Sequence, residues 1–368
     1  MRLEGIDLLR GLAVSVVVLY HFFELLGLHN SPYYPFVISI GQIGVPLFFV
    51  ISGYLIYRSV DYSISKNGIK KGLKQYTFHR LFRILPAYYF NFFIVFILAL
   101  YIFGTMDTWS STFTYKQILS HLTFTSYFLY QTSGLGINGA YWTLSIEMLW
   151  YILAPLLFIY LKKDRYFFIL FILAFFYLWC IDLGLFDFIF HLDKSASNYM
   201  AKLFFFSFQL PGQMIYFIAG IYIYKYSIGQ YSIIPLLQYI LFILIIGIFI
   251  FLSNQRFFLE SFLVRNAFTL LAVTSLFIVF YRHKRKELHL LAWIGKISYS
   301  LYLWHMPLLF LMKLFMQIKD FSLAGITPVF LILLFIISSL SYYLIEEGGF
   351  NLRRKFEAKY KKVLNNDK

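Results

Sequence analysis

The sequence predicts an all-α fold: a polytopic membrane bundle of about ten transmembrane helices, with both termini cytoplasmic. Three observations carry that expectation. First, 60% of the 368 residues are hydrophobic and only 13% are charged, whereas a soluble domain is about 45–50% apolar and about 25% charged. Such a chain cannot cover a globule with polar surface, and it is too apolar to stay disordered. Second, the apolar residues gather in runs of spanning length. Third, the basic residues between those runs alternate in density, as the flanks of membrane helices do.

The runs, in order, are Leu8 to Leu26, Phe36 to Tyr57, Pro86 to Phe103, Thr143 to Leu161 and Tyr166 to Phe186. Then come Leu203 to Tyr224, Tyr231 to Ser253, Asn266 to Tyr281, Ile297 to Met316 and Phe321 to Ile345. The stretch Gln117 to Tyr130 is apolar but short, so it is expected to be interfacial or re-entrant. Residues 1–350 form one transmembrane domain, and 351–368 a short basic cytoplasmic tail. The first run carries Arg10, His21 and Glu24 and lacks a small-residue cleavage site, so it is not expected to be a signal peptide.

With a cytoplasmic N-terminus, 24 of the 32 Lys and Arg residues fall on the inside. They include seven between Arg58 and Arg83, Lys162, the run Arg282 to Lys286 and the tail. The outside holds about seven, among them Arg256, which is the positive-inside pattern. The net charge of +15 is therefore a topology signal rather than a nucleic-acid surface. The single cysteine, Cys180, excludes a disulfide framework and a cysteine-based zinc site. No other convincing metal cluster is visible.

Ionisable groups inside a span are costly, so each is a functional candidate. Arg10 and His21 are eleven residues apart, close to three turns, and so face one side about 16 Å apart. Glu24 lies one turn beyond His21, within reach of the imidazole. Glu147 sits about five residues from the outer end of the fourth run, at a depth similar to His21. A carboxylate there would fix the tautomer of the imidazole and raise its basicity. The bland readings are an interfacial Arg10, a packing His21 and a Glu147 bonded to a neighbouring Tyr or Trp.

The segment before the third run, read as a loop, places Arg80 and Arg83 one turn apart at the cytoplasmic surface. Paired guanidinium forks suit phosphate. The ninth run carries Ser298, Tyr302 and His305 on one stripe, with Tyr299 beside it. Its Pro307 frees a backbone carbonyl, and a buried structural histidine is the bland reading of His305. Ser52-Gly53-Tyr54 suggests close helix packing in the second run.

Taken together and in order, these elements resemble the acyltransferase-3 family of integral membrane O-acyltransferases, over Ile6 to about Glu347. Leu9-Arg10-Gly11-Leu12 with His21-Phe22 resembles the family's first-helix Arg and His. Gly44-Val45-Pro46-Leu47-Phe48-Phe49 through Ser52-Gly53-Tyr54 resembles its second-span signature. Arg80-Leu81-Phe82-Arg83-Ile84 is similar to its arginine motif, Trp142-Thr143-Leu144-Ser145-Ile146-Glu147 to its Trp-Ser-Leu-Ser-x-Glu run, and Ser298 to His305 to its late Tyr/His motif. The chain departs where Pro46 replaces a frequent acidic residue, and where Glu346-Glu347-Gly348-Gly349 replaces Glu-Arg-Pro. The esterase-like domain that some members carry after the last span is not expected here.

The resemblance implies a multi-pass enzyme of a bacterial-type cytoplasmic (inner) membrane, with no permanently bound cofactor. The donor would be acyl-CoA, acetyl-CoA foremost. The acceptor would be a hydroxyl of a cell-surface glycan or a lipid-linked saccharide. Arg80 and Arg83 would bind CoA phosphates, and Arg10 the pantetheine arm or the thioester carbonyl. His21 would be the base or a transient acyl carrier, oriented by Glu147. Trp142, Ser145, Tyr299 and His305 would face the acceptor. A transporter or exporter remains the alternative class, because intramembrane Arg, His and Glu also serve proton relays. A purely structural scaffold would not need five polar motifs.

Overall fold

A computed structural model describes residues 4–103, 115–133, 137–161, 163–226, 235–255, 258, 260–281, 288–319 and 322–355. Lys162, Arg256, the run Arg282 to Lys286 and the tail beyond residue 355 lie outside the described residues. Among the described residues there is no strand. The described residues of the ten apolar runs are mostly helical, because a backbone in an apolar medium must satisfy its own hydrogen bonds.

The helices are α1 (Glu4–Leu25), α2 (Tyr34–Gly41), α3 (Gly44–Phe103), α4 (Tyr115–Leu122), α5 (Trp142–Tyr160), α6 (Asp164–Asp182) and α7 (Leu185–Phe190). They continue as α8 (Tyr199–Ser207), α9 (Leu210–Lys225), α10 (Pro235–Ser253), α11 (Phe262–Phe280), α12 (His289–Lys296), α13 (Ser298–Lys319) and α14 (Leu323–Ser341). A π-turn, Tyr342–Glu346, follows α14, and helix resumes to Lys355.

Among the described residues, seven helical stretches are long and apolar enough to cross a membrane. One of them, Tyr34–Leu98, contains both the second predicted run and most of the third. The α4 segment is eight residues, about 12 Å of rise, too short to span, as expected of an interfacial piece. The helices α6 and α14 leave apolar faces uncovered, including Phe168, Ile172, Phe176, Leu333, Ile336 and Leu340. Lipid tails would cover such faces, whereas water would penalise them.

The segment between the second and third runs corrects the sequence reading. It is helical where a loop was expected, and α3 runs through it to Phe103. The charged residues there are mostly Lys and Arg, which are good helix formers. The break is at Gly68, with φ 74° and ψ 170°, a backbone region that only glycine enters freely. The chain folds back at that point. Asn67 Nδ2 donates to the Ser63 carbonyl at 3.1 Å and to Gln75 Oε1 at 2.6 Å.

The contacts divide the chain into two compact units. One comprises Met1–Arg58, Tyr127–Gly134 and Trp142–Ser298; the other comprises Ser59–Ser126, Leu135–Tyr141 and Tyr299–Lys368. In the first, α1 packs along α12, and α9 against α6. A Cβ at Gly11 would overlap the Leu291 carbonyl, and one at Gly295 the Asp7 carbonyl. Gly53 and Gly220 do the same where α3 crosses α9, against the Phe217 and Val50 carbonyls. Small residues let backbones touch in this way, as the Ser52-Gly53-Tyr54 run suggested.

Candidate functional site

In the first unit α1 is unbroken from Glu4 to Leu25, so Arg10 and His21 keep their three-turn relation on one helix. The Gly11–Leu291 and Gly295–Asp7 contacts pin the turn that carries Arg10. His21 Nδ1 lies 3.0 Å from the Val17 carbonyl. A carbonyl oxygen only accepts, so Nδ1 carries the proton. In the neutral ring the basic lone pair is therefore on Nε2. Tyr20 packs edge-on to the imidazole at 5.1 Å. Glu24, three residues further along α1, accepts a hydrogen bond from the Tyr34 hydroxyl at 2.6 Å.

Glu147 Oε1 accepts from Ser52 Oγ at 2.6 Å and from the Tyr151 hydroxyl at 2.9 Å. That bond ties α5 to the Gly53 crossing of α3. Ser145 is buried one half-turn away. Trp142 is stacked on Phe208 at 4.8 Å and 14°, and edge-on to Phe49 at 6.3 Å. Its ring braces the mouth of α5.

In the second unit, a pocket of about 310 Å³ is lined by Arg80, Arg83, Arg353 and Arg354, with His79 and Ser59. Phe350 completes the wall. Arg80 lies over the Tyr76 ring at 5.7 Å and Arg353 over the Phe350 ring at 6.0 Å, contacts that hold flat guanidinium groups in place. The expected pairing of Arg80 and Arg83 is present, now on α3. Arg353 and Arg354 were missed, because in the sequence they read only as tail charge. Tyr299 donates to the Ile84 carbonyl at 3.2 Å, one residue past Arg83, so it braces the arginine turn.

His305 is fully buried, with Nδ1 donating to the Tyr302 carbonyl at 2.7 Å. The carbonyl that Pro307 deprives of its helical donor is that of Leu303, four residues back. Asn138 Nδ2 donates to it at 2.9 Å. The Tyr141 hydroxyl and Asn138 both donate to Asn91 Oδ1. Ser300 Oγ donates to buried Glu346 at 2.6 Å, within the π-turn. Neutral Asn, Ser and Tyr do not stand out in a sequence, and the one available signal was the proline's orphaned carbonyl. Among the described residues, no group of three His, Cys, Asp or Glu side chains is placed to hold a metal ion.

A family model described as an acyltransferase domain, Acyl_transf_3, matches residues 3–346. The chain belongs to the acyltransferase-3 family. A protein of Staphylococcus aureus (strain COL) named "Putative O-acetyltransferase" is 27% identical over 386 residues, covering 94% of this chain and 56% of its own length. The O-acetyl transferase of Shigella phage Sf6 is 32% identical over 173 residues, 45% of this chain and 48% of its own. A protein of Acidianus two-tailed virus named "Putative acetyltransferase" is 30% identical over 149 residues, 40% of this chain and 39% of its own. The chain spans about half the length of the curated relatives it matches. No solved structure matches it.

Proposed function

We propose that this acyltransferase-3 chain is a membrane O-acetyltransferase. It moves an acyl group from cytoplasmic acyl-CoA to a hydroxyl of a cell-surface carbohydrate or its lipid-linked precursor. Family membership and the O-acetyltransferase names of its relatives support the reaction class. The observation that carries the choice of donor is the arginine-lined pocket around Arg80 and Arg83, because CoA offers a diphosphate and a ribose phosphate to such forks. In this reading about ten spans and cytoplasmic termini place the basic α3 segment on the donor side, in a bacterial-type inner membrane.

The chemistry follows from the His21 tautomer. Nε2 accepts the proton of the acceptor hydroxyl, and the hydroxyl oxygen attacks the thioester carbonyl. The tetrahedral adduct collapses, the carbon–sulfur bond breaks, and the proton passes from His21 to the departing CoA thiolate. Arg10 holds the pantetheine arm or steadies the developing oxyanion. In the variant with two transfers, Nε2 carries the acyl group between donor and acceptor. Glu24 balances the imidazolium, Glu147 holds the α3–α5 frame, and Trp142 and Ser145 shape the acceptor side.

The test is acetyl transfer from isotope-labelled acetyl-CoA in membranes, with mass spectrometry of surface glycans. His21→Ala and Arg10→Ala, checked for expression and insertion, should each abolish ester formation. Normal acylation in either variant removes its assigned role. Transport of a solute without ester formation would replace the enzyme reading with the transporter one.

A further inference from the structure

The pocket around Arg80 and Arg83 draws two of its four arginines from the helix that follows the π-turn. The sequence departs from its family in this region, at Glu346-Glu347-Gly348-Gly349. Pro86 lies inside α3 and has no amide proton, so the carbonyl of Phe82 loses its helical partner. Gly349 packs on that spot: a Cβ there would meet the Phe82 carbonyl oxygen at 2.8 Å and Pro86 Cγ at 3.0 Å. The backbone after the π-turn is thereby seated on the arginine turn of α3. One helical turn after Gly349 come Arg353 and Arg354, which line the same pocket as Arg80 and Arg83.

Four guanidinium groups converge on one pocket of about 310 Å³, beside His79. Such a cluster favours an anion carrying several charges. Two pairs on two different helices suit a ligand with two separated phosphate groups rather than a single one. We infer that Arg353 and Arg354 are phosphate-binding residues of the donor site, and that the C-terminal helix completes with Arg80 and Arg83 a four-arginine cradle for the phosphates of CoA. This inference rests on the acyl-CoA reading above and adds two residues and a structural element to it. Headgroups of anionic lipids share the phosphate chemistry, so the experiment must separate the two sources.

The experiment uses the full chain in phosphatidylcholine nanodiscs, with CoA as the probe. Arg353→Gln with Arg354→Gln should weaken CoA binding by roughly tenfold or more, about 1.4 kcal/mol per factor of ten. Arg80→Gln with Arg83→Gln should do the same. Should the first pair lower the thermal midpoint, Arg353→Lys with Arg354→Lys carries the test. It keeps the charge, loses the planar forks and should still weaken binding several-fold.

Unchanged CoA affinity in the tail variants, with loss in the α3 variants, overturns the inference and leaves the acyl-CoA reading standing. No CoA binding by the unaltered chain, together with no acetyl transfer, overturns both. Nanodiscs containing phosphatidylglycerol form the other arm. Loss of retained phosphatidylglycerol in the tail variants, at unchanged CoA affinity, assigns the arginines to lipid headgroups and overturns the inference.

Discussion

The side-chain amide of Asn138 donates to the backbone carbonyl of Leu303 at 2.9 Å. That carbonyl lies four residues before Pro307, so the helix itself has no donor to offer it. A residue from a loop thus repairs the break in the turn that carries His305. Asn138→Leu should cost about 1–3 kcal/mol, the usual penalty for a buried polar group left unpaired. Thermal unfolding of the purified protein in detergent checks it. Pro307→Ala in the same background should recover part of the loss by restoring the helical donor.

Glu147 accepts two hydroxyl hydrogens at one oxygen. Glu147→Gln keeps that acceptor and should leave stability close to the unaltered protein. Glu147→Ala strands the hydroxyls of Ser52 and Tyr151 and should cost about 1–3 kcal/mol. Activity should follow the same order, with Gln retaining most of it. Loss of activity in the Gln variant at unchanged stability would show that the negative charge is required.

The helix contacts at Gly295 and Gly53 leave no room for a side chain. Gly295→Val and Gly53→Val should each force the helices apart and destabilise the fold by about 1–3 kcal/mol or more. Gly247→Val is the control, since nothing lies within reach of a Cβ there. Reconstituted yield and unfolding midpoint give the comparison.

His121 in α4 is buried, and its Nδ1 donates to the Gln117 carbonyl at 2.8 Å. Burial holds its imidazole below the usual histidine range, although that hydrogen bond acts the other way. Between its folded pKa and the ordinary value of about 6.5, the unfolded chain binds more protons than the folded one. Its stabilising effect is therefore complete above about pH 6.5 and is lost as the pH falls below that. His121→Asn keeps a donor near Nδ1 and cannot titrate, so it should flatten the acid slope of the unfolding midpoint below about pH 6.5.

Much of this architecture is visible in the residue string, because apolar run length is a direct consequence of membrane thickness. The runs and the short α4 piece follow from hydropathy, and the Gly53 contact from residue size. The helix through Arg58 to Arg83 does not, since a charged helix and a charged loop differ little in composition. The bond from Ser52 to Glu147 was not legible either, because it depends on how α3 and α5 are rotated against each other. Arg353 and Arg354 were hidden for another reason: topology already accounts for basic residues after a span, so their second use leaves no excess to notice.

The backbone-to-backbone seating of α1 on α12 has a mechanical consequence. Where Gly11 meets Leu291 and Gly295 meets Asp7, no side chain intervenes to slide or compress. The helix carrying Arg10 and His21 then behaves as a fixed rail, unable to roll or piston without breaking both contacts. Whatever moves elsewhere in the bundle, the spacing and relative facing of those two residues stay constant.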